Sequence, residues 1–110
     1  MKSMNKVQLI GYLGKDPEFF LVNNATPMVR IRVATHFYWK NSEGKDQKEV
    51  TWHTVKIWSR KQIEHIKDRF IKGSHVLIEG RIQNRAYEDK GGQVKYASEI
   101  TASYMIDLDR

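Results

Sequence analysis

Apolar residues recur at the spacing of a helix in only one stretch of this sequence, residues 61–72. Ile63, Ile66 and Phe70 stand there with charged residues between them, so they share one face of a short amphipathic helix. Gly73 follows as a residue that accepts the left-handed backbone of a helix end. We therefore predict one helix, and the rest of the fold must come from the remaining segments.

Those segments alternate apolar and polar residues, which predicts strands with one buried and one wet face. Three precede the helix and two follow it, at residues 7–14, 28–39, 50–59, 76–83 and 96–108. Residues 19–22 form either a short strand or an ordered loop. The polar stretches 40–48 and 84–95 contain glycine and are typical of exposed loops or hairpins. On the last strand, one parity carries Tyr96, Ile100, Tyr104 and Ile106.

This order of elements predicts a fold. Five strands with one helix between the third and the fourth is the plan of the OB fold, a small closed barrel. We therefore expect an all-β protein, a five-stranded OB-fold barrel with one short helix between strands 3 and 4. The 110 residues are typical of one domain, and no linker, repeat or change of composition divides them. The single domain is expected to span residues 1–110.

Composition argues against several classes of protein. The chain has no cysteine, its four histidines lack the spacing of a metal site and its carboxylates are not clustered, so we expect no metal, cofactor or catalysis. Its apolar runs are too short to span a membrane and its first residues lack the apolar core of a signal peptide, so we expect a cytoplasmic location. The formal net charge of +6 favours a polyanionic partner.

The third predicted strand places two tryptophans on its polar side. Trp52 and Trp58 share a parity with Lys56, whereas Val55 and Ile57 occupy the other parity and can fill a core. Burying both rings together with the lysine would leave an unpaired ammonium, which is costly, so we interpret this side as a surface. Exposed indoles beside cations are suited to stacking on unpaired bases while the cations contact phosphates.

Other aromatic and basic residues could join this surface. Arg30 and Arg32 share the polar parity of the second strand, and Trp39 and Tyr87 lie in or beside the two polar stretches. Each of these residues also has a purely structural interpretation. The tryptophans of the third strand could belong to a core or a subunit interface, the other two rings could only pack their loops, and the loop lysines could be plain solvated charge.

Several linked motifs resemble one family. Residues 5–18, NKVQLIGYLGKDPE, resemble the opening NKVxLxGxLGxDPE of the bacterial single-stranded DNA-binding proteins. In that family's order and spacing there follow residues 33–35, Trp39, and residues 52–55, 72–74 and 76–81. The resemblance covers residues 5–106. It implies an OB fold, a homotetramer of two dimers, and binding of single-stranded DNA without sequence preference in replication, recombination and repair.

The resemblance also implies site residues. The family's base-stacking positions correspond to Trp39, Trp52, Trp58 and Tyr87. Its phosphate-contacting positions correspond to Lys56, Lys72 and Arg85, and further to Lys6 and Lys61. His53 matches positions near subunit contacts, and a merely packed histidine is the alternative there.

Members of that family usually continue into a long tail rich in Gly, Pro and Gln, whose acidic tip docks replication and repair enzymes. This sequence stops at residues 107–110, DLDR, so the resemblance supports coating of DNA and leaves recruitment of partner enzymes in doubt. Besides a housekeeping protein, a mobile-element or accessory protein of the same kind fits the sequence. A primosomal relative that binds single-stranded DNA or RNA, and an interaction module whose tryptophan surface is an oligomer contact, are the remaining alternatives.

Overall fold

Six strands and one helix make up the described part of the chain, residues 2–109 of a computed structural model. In chain order the elements are β1 (Val7–Leu13), β2 (Glu18–Val22), β3 (Thr26–Lys40), β4 (Asp46–Ile57), α1 (Arg60–Arg69), β5 (His75–Glu88) and β6 (Val94–Asp107). The expectations about a leader and a tail involve Met1 and Arg110, which lie outside the described residues.

The strands close into a barrel. Neighbouring strands follow the order β1, β5, β6, β4, β3, β2, and an additional pairing of β1 with β3 closes the sheet. β4 and β6 run parallel, and the other pairs are antiparallel. The predicted five-stranded OB-fold barrel with one helix before its fourth strand is confirmed. Residues 19–22 belong to β2, which lies outside the barrel and pairs only with β3 among the described strands.

The inner side of the barrel is an apolar core. Its residues occupy the parities that the sequence predicted: from β3 Val29, Ile31 and Val33, from β4 Val55 and Ile57, and from the helix region Ile63, Ile66 and Phe70. Each fully buried aliphatic side chain contributes roughly 1.5–3 kcal/mol relative to exposure. The core therefore fixes which side of each strand faces inward, and with it which side faces solvent.

The helix is shorter than residues 61–72. It ends at Arg69 because Phe70 adopts an extended backbone while its ring stays in the core. Ser59 caps the start by accepting a hydrogen bond from a backbone N–H of the first turn. Gly73 has a φ of 90°, the left-handed conformation that the sequence predicted for the residue after the helix.

The predicted parity of β6 is wrong beyond Ala102. Gly80 pairs with Ala102 but Glu79 pairs with Tyr104, so Ser103 is an extra residue that shifts the alternation. As a result Met105 enters the core at 4% exposure, whereas Tyr104 is 46% exposed on the outer side. The apolar and polar pattern did not reveal this bulge, because assigning residues to a side of the strand requires an unbroken period of two.

Both polar stretches contain paired strand on either side of a short turn. β3 and β4 stay in register out to Lys40 and Asp46, and β5 and β6 out to Glu88 and Val94. Two hairpins therefore extend as β-ribbons, which we call arm 1 (β3–β4) and arm 2 (β5–β6). The alternative of hairpins is confirmed for both stretches, and the strands are longer than the sequence predicted.

Barrel closure requires a glycine where β1 crosses β3. A Cβ on Gly11 would lie 2.3 Å from the carbonyl oxygen of Ala34, far closer than packing allows. We expect Gly11→Ala to cost about 2 kcal/mol or more, since backbone has to move, and to lower Tm by about 8 °C or more. Differential scanning calorimetry measures this. Gly91→Ala is the control, because its Cβ would lie 3.5 Å from the nearest atom, and an equal loss in both variants would contradict the account.

Candidate nucleic-acid interface

The outer side of β3 and β4 brings the predicted cations and rings together. Arg30 pairs with Lys56 across the two strands, and Ala34 pairs with Trp52, so these side chains leave the same side of the sheet. We call this outer side of β2, β3 and β4 the aromatic face. On it Trp52 is 50% exposed, and Trp58, just beyond the end of β4, is 40% exposed. The tryptophans thus lie outside the barrel core, as the parity predicted.

Small residues make room for the ring of Trp52. A Cβ on Gly14 would lie 2.3 Å from the indole, and Ala34 is its partner across the strands. The guanidinium carbon of Arg32 lies 5.7 Å from the centre of the ring, a cation–π arrangement. Gly14, Lys15, Arg32 and Trp52 line a shallow cleft with one flat apolar wall and two cations at its edge.

A buried carboxylate organises two of the predicted cations. Glu99 of β6 is 8% exposed and lies 3.1 Å from the ammonium of Lys56. Arg85 donates from Nε to both oxygens of the same carboxylate, at 3.2 Å each. Burial disfavours the charged carboxylate, but the hydrogen bonds and charges of Lys56 and Arg85 outweigh it and hold the pKa of Glu99 below its ordinary value of 4.5. Two cations on one carboxylate leave the cluster with a net positive charge.

Arm 2 joins this cluster through its outer side. Arg85, Tyr87 and Glu99 share that side, because Gln83 pairs with Glu99 and Tyr87 pairs with Lys95. The ring of Tyr87 is 41% exposed, and the guanidinium carbon of Arg85 lies 5.8 Å from its centre. Tyr87 is thus tied to Lys56 of β4 through Arg85 and Glu99, and we include this outer side of arm 2 in the aromatic face.

Trp39 stands apart from the other predicted rings. It pairs with Gln47 in arm 1, on the parity opposite to that of Trp52, so its side chain leaves the other side of the ribbon. It lies 5.8 Å from Phe37, ring centre to ring centre, and is 42% exposed. Its position excludes a role as a core residue under its loop. The structure does not bring Trp39 onto the aromatic face.

The remaining predicted cations lie around the barrel. Lys6 pairs with Glu79 at 3.3 Å on the outer side of β1 and β5, away from the aromatic face. Lys61 is exposed in the first turn of α1, and Lys72 is exposed in the turn after it, where its N–H donates to Asp16. Arg30 lies on the aromatic face and its Nε donates to Glu18 at 3.1 Å. The structure therefore groups Arg30, Arg32, Lys56 and Arg85 near exposed rings.

Two residues on this side of the protein, Glu99 and Phe20, were not singled out from the sequence. Nothing in the local pattern showed that two cations would lie against the carboxylate of Glu99. Phe20 lies in the segment left open as strand or loop, and the aromatic pair at residues 19 and 20 was a signal that went unused.

His53 is half-buried, and its Nε2 lies 2.9 Å from Thr35 Oγ1. Burial disfavours the charged imidazolium and lowers the pKa of His53.

Among residues 2–109, no group of three or more acidic, histidine or cysteine side chains is placed to hold a metal ion. No helix in the same range is long and apolar enough to cross a bilayer. The fold and the aromatic face define the class: OB-fold proteins with an outer sheet of exposed rings and cations. The chain belongs to the single-strand binding protein family, whose model matches residues 4–108.

Similar proteins cover nearly all of this chain. It is 37% identical over 107 residues to Single-stranded DNA-binding protein 1 of Xylella fastidiosa. The aligned region covers 96% of this chain and 77% of that protein. It is 37% identical over 99 residues to the single-stranded DNA-binding protein of Rickettsia felis, spanning 89% of this chain and 65% of that protein.

Solved structures give the same fold. A chain from a Plasmodium falciparum SSB complex with ssDNA has a TM-score of 0.88 at 26% identity, covering 99% of this chain and 98% of that chain. A deletion mutant of the single-stranded DNA binding protein from Thermus aquaticus has a TM-score of 0.80 at 24% identity, covering 96% of this chain and 51% of that chain. The latter likeness shows the fold alone.

The Glu99 cluster predicts a pH dependence of stability. Because the pKa of Glu99 is lower in the folded than in the unfolded chain, the cluster stabilises the fold above about pH 4.5 and loses that contribution as pH falls through the folded pKa. Glu99→Gln should cost about 1–3 kcal/mol at pH 7, since Lys56 and Arg85 lose their counter-charge. It should also flatten the acid limb of stability measured by urea unfolding.

The control for this variant is Glu64→Gln, which removes an exposed carboxylate paired with Lys67 at 3.8 Å. Surface pairs of this kind contribute little, so its stability should follow that of the wild type at every pH. If both variants have the same acid limb as the wild type, the Glu99 cluster does not stabilise the fold.

Proposed function

We propose that this protein binds single-stranded DNA by stacking bases on Trp52, Trp58 and Tyr87 while Arg30, Arg32, Lys56 and Arg85 neutralise phosphates. The observation that carries the proposal is Trp52. Its indole is half exposed and has an arginine over its ring, although the same strand offers a sealed core on its other side. A large aromatic ring left in water on a rigid strand is suited to binding a flat apolar ligand.

The chemistry of the aromatic face accounts for binding without sequence preference. Every base has a π surface, so a ring can stack on any of them, with about 1–3 kcal/mol per base. Cations near the rings displace counterions from phosphates, which adds affinity that depends on salt and not on sequence. The relatives are named as single-stranded DNA-binding proteins, and one similar structure is a complex with ssDNA, which supports DNA as the ligand.

Four further predicted residues lie off this face, and we propose supporting roles for them. Trp39 is on the opposite side of arm 1, where a strand that passes round the ribbon would reach it. Lys61 in the first turn of α1 and Lys72 in the turn after the helix would attract the backbone of a strand leaving the face. Lys6 pairs with Glu79 on the outer side of β1 and β5, so it contributes to the long-range field more than to a contact.

We propose a non-catalytic role: the protein coats and protects single-stranded DNA during replication, recombination and repair. The proposed place of action is the cytoplasm, where bacterial DNA lies. RNA is the competing ligand, because stacking and phosphate contacts alone do not distinguish it from DNA.

We propose a homo-oligomer, a tetramer of two dimers, assembled through a different surface. The outer side of β1, β5 and β6 carries large apolar side chains in neighbouring rows: Ile10, Tyr12, Leu77, Tyr104 and Ile106. Ile10 and Tyr104 are exposed in the single chain, and burial of such a patch would favour association. The aromatic face is then free for DNA in the assembled protein.

Two variants separate DNA binding from assembly. Trp52→Ala should lower the affinity for poly-dT by about fivefold or more, because one base loses its stacking ring, and should leave the oligomer intact. Tyr104→Ala, which removes a ring of similar exposure from the other surface, should weaken assembly. Tryptophan fluorescence titration measures DNA binding, and light scattering after size exclusion measures assembly.

The affinity of the wild type for poly-dT should also fall steeply with added salt, because neutralised phosphates release counterions.

The opposite outcome identifies the competing functions. If Trp52→Ala dissociates the oligomer, the aromatic face is a subunit contact and the proposal is wrong. If poly-dT causes no quenching of wild-type fluorescence at low salt while poly-U does, the ligand is RNA.

A further inference from the structure

We infer that Phe20, on the outer strand β2, is an additional base-stacking residue that extends the single-stranded DNA path beyond Trp58. The inference rests on the proposed function, since it adds a contact to the same site. Neither the sequence pattern nor the resemblance assigned a role to this residue. Three features of the structure point to it: its row in the sheet, its exposure, and the cation over its ring.

The register places Phe20 at the end of a row that begins with Trp58. β2 and β3 pair Phe20 with Met28, and β3 and β4 pair Val29 with Ile57. Trp58 directly follows Ile57, the last residue of β4, so continuing the β3–β4 register by one residue sets it opposite Met28, which is 8% exposed. The row across β4, β3 and β2 is thus Trp58, Met28, Phe20. Neighbouring strands lie about 4.8 Å apart, so the two rings stand two strand spacings apart, roughly 10 Å, with Met28 between them.

The neighbouring row carries the cations. Lys56, Arg30 and Glu18 follow one another across the same three strands. Glu18 accepts from Arg30 and also lies 3.3 Å from Lys15, so two cations share one carboxylate here as well. A phosphate next to Phe20 would therefore meet a net positive charge.

Rings with an arginine above them recur on this side of the protein. The guanidinium carbon of Arg30 lies 5.0 Å from the ring centre of Phe20, that of Arg32 5.7 Å from Trp52, and that of Arg85 5.8 Å from Tyr87. The exposure of Phe20, 39%, is also close to that of Trp58 and Tyr87. Phe20 thus repeats the arrangement found at two proposed stacking positions. A guanidinium held near a ring can itself stack on a base or bind its phosphate.

Phe19 provides an internal contrast. It is the same residue type, one position earlier, and of similar exposure, but it pairs with the core residue Val29 and so leaves the other side of β2. The cation near its ring is Lys67 of α1, at 6.0 Å. Phe19 lines an apolar hollow between β2 and the helix together with Leu21 and Ile63, and Phe20 and Met28 line the same hollow. A general effect of losing an aromatic ring from β2 would therefore appear at both positions.

The experiment compares Phe20→Ala with Phe19→Ala by titration with poly-dT, each variant checked by thermal unfolding. Phe20→Ala should lower affinity by about fivefold or more, whereas Phe19→Ala should stay within about twofold of the wild type. Phe20→Trp and Phe19→Trp provide a second measurement that does not depend on the alanine variants folding. Poly-dT should quench the added indole at position 20 and leave the one at position 19 unquenched.

The outcomes separate the two proposals. If the wild type binds and is quenched, but both alanine variants bind equally well and the indole at position 20 is not quenched, Phe20 makes no contact and this inference is wrong while the proposed function stands. If poly-dT neither binds nor quenches the wild type, the proposed function fails and this inference fails with it.

Discussion

The pleat of β4 is the constraint on which the rest of the structure depends. Successive side chains of a strand leave opposite sides, so burying Val55 and Ile57 in a closed barrel forces Trp52 and Lys56 outward. The rings cannot turn inward without expelling the core. The exposed tryptophans are therefore a consequence of the same packing that stabilises the fold, and their positions are as fixed as those of the core residues.

Three adjustments turn this outward side into a surface suited to flat, anionic ligands. Gly14 leaves space for the ring of Trp52, where any Cβ would collide with it. Glu99 draws Lys56 and Arg85 together from β4 and arm 2, so that cations of separate strands act as one cluster. Arginines lie over the rings of the face and combine an apolar contact with a charge that phosphates prefer.

The sequence was informative where a regular period held and failed where the period broke or a contact was non-local. Alternation in the central strands predicted both the core and the exposed tryptophans. The extra residue Ser103 shifted β6, so Tyr104 was assigned to the wrong side. The continuous register of arm 1 separates Trp39 from the aromatic face, whereas polar composition left a loop and a hairpin open for this stretch. Glu99 and Phe20 acquire their surroundings from strands distant in sequence, which no local pattern contains.

The central claim is that unpaired bases lie on the aromatic face. The most direct measurement is photo-cross-linking of an iodouracil-substituted single strand, with the attached residues located by mass spectrometry. The account predicts cross-links at Trp52, Trp58 and Tyr87. Cross-links confined to Tyr12 and Tyr104, the exposed rings on the outer side of β1, β5 and β6, would contradict it.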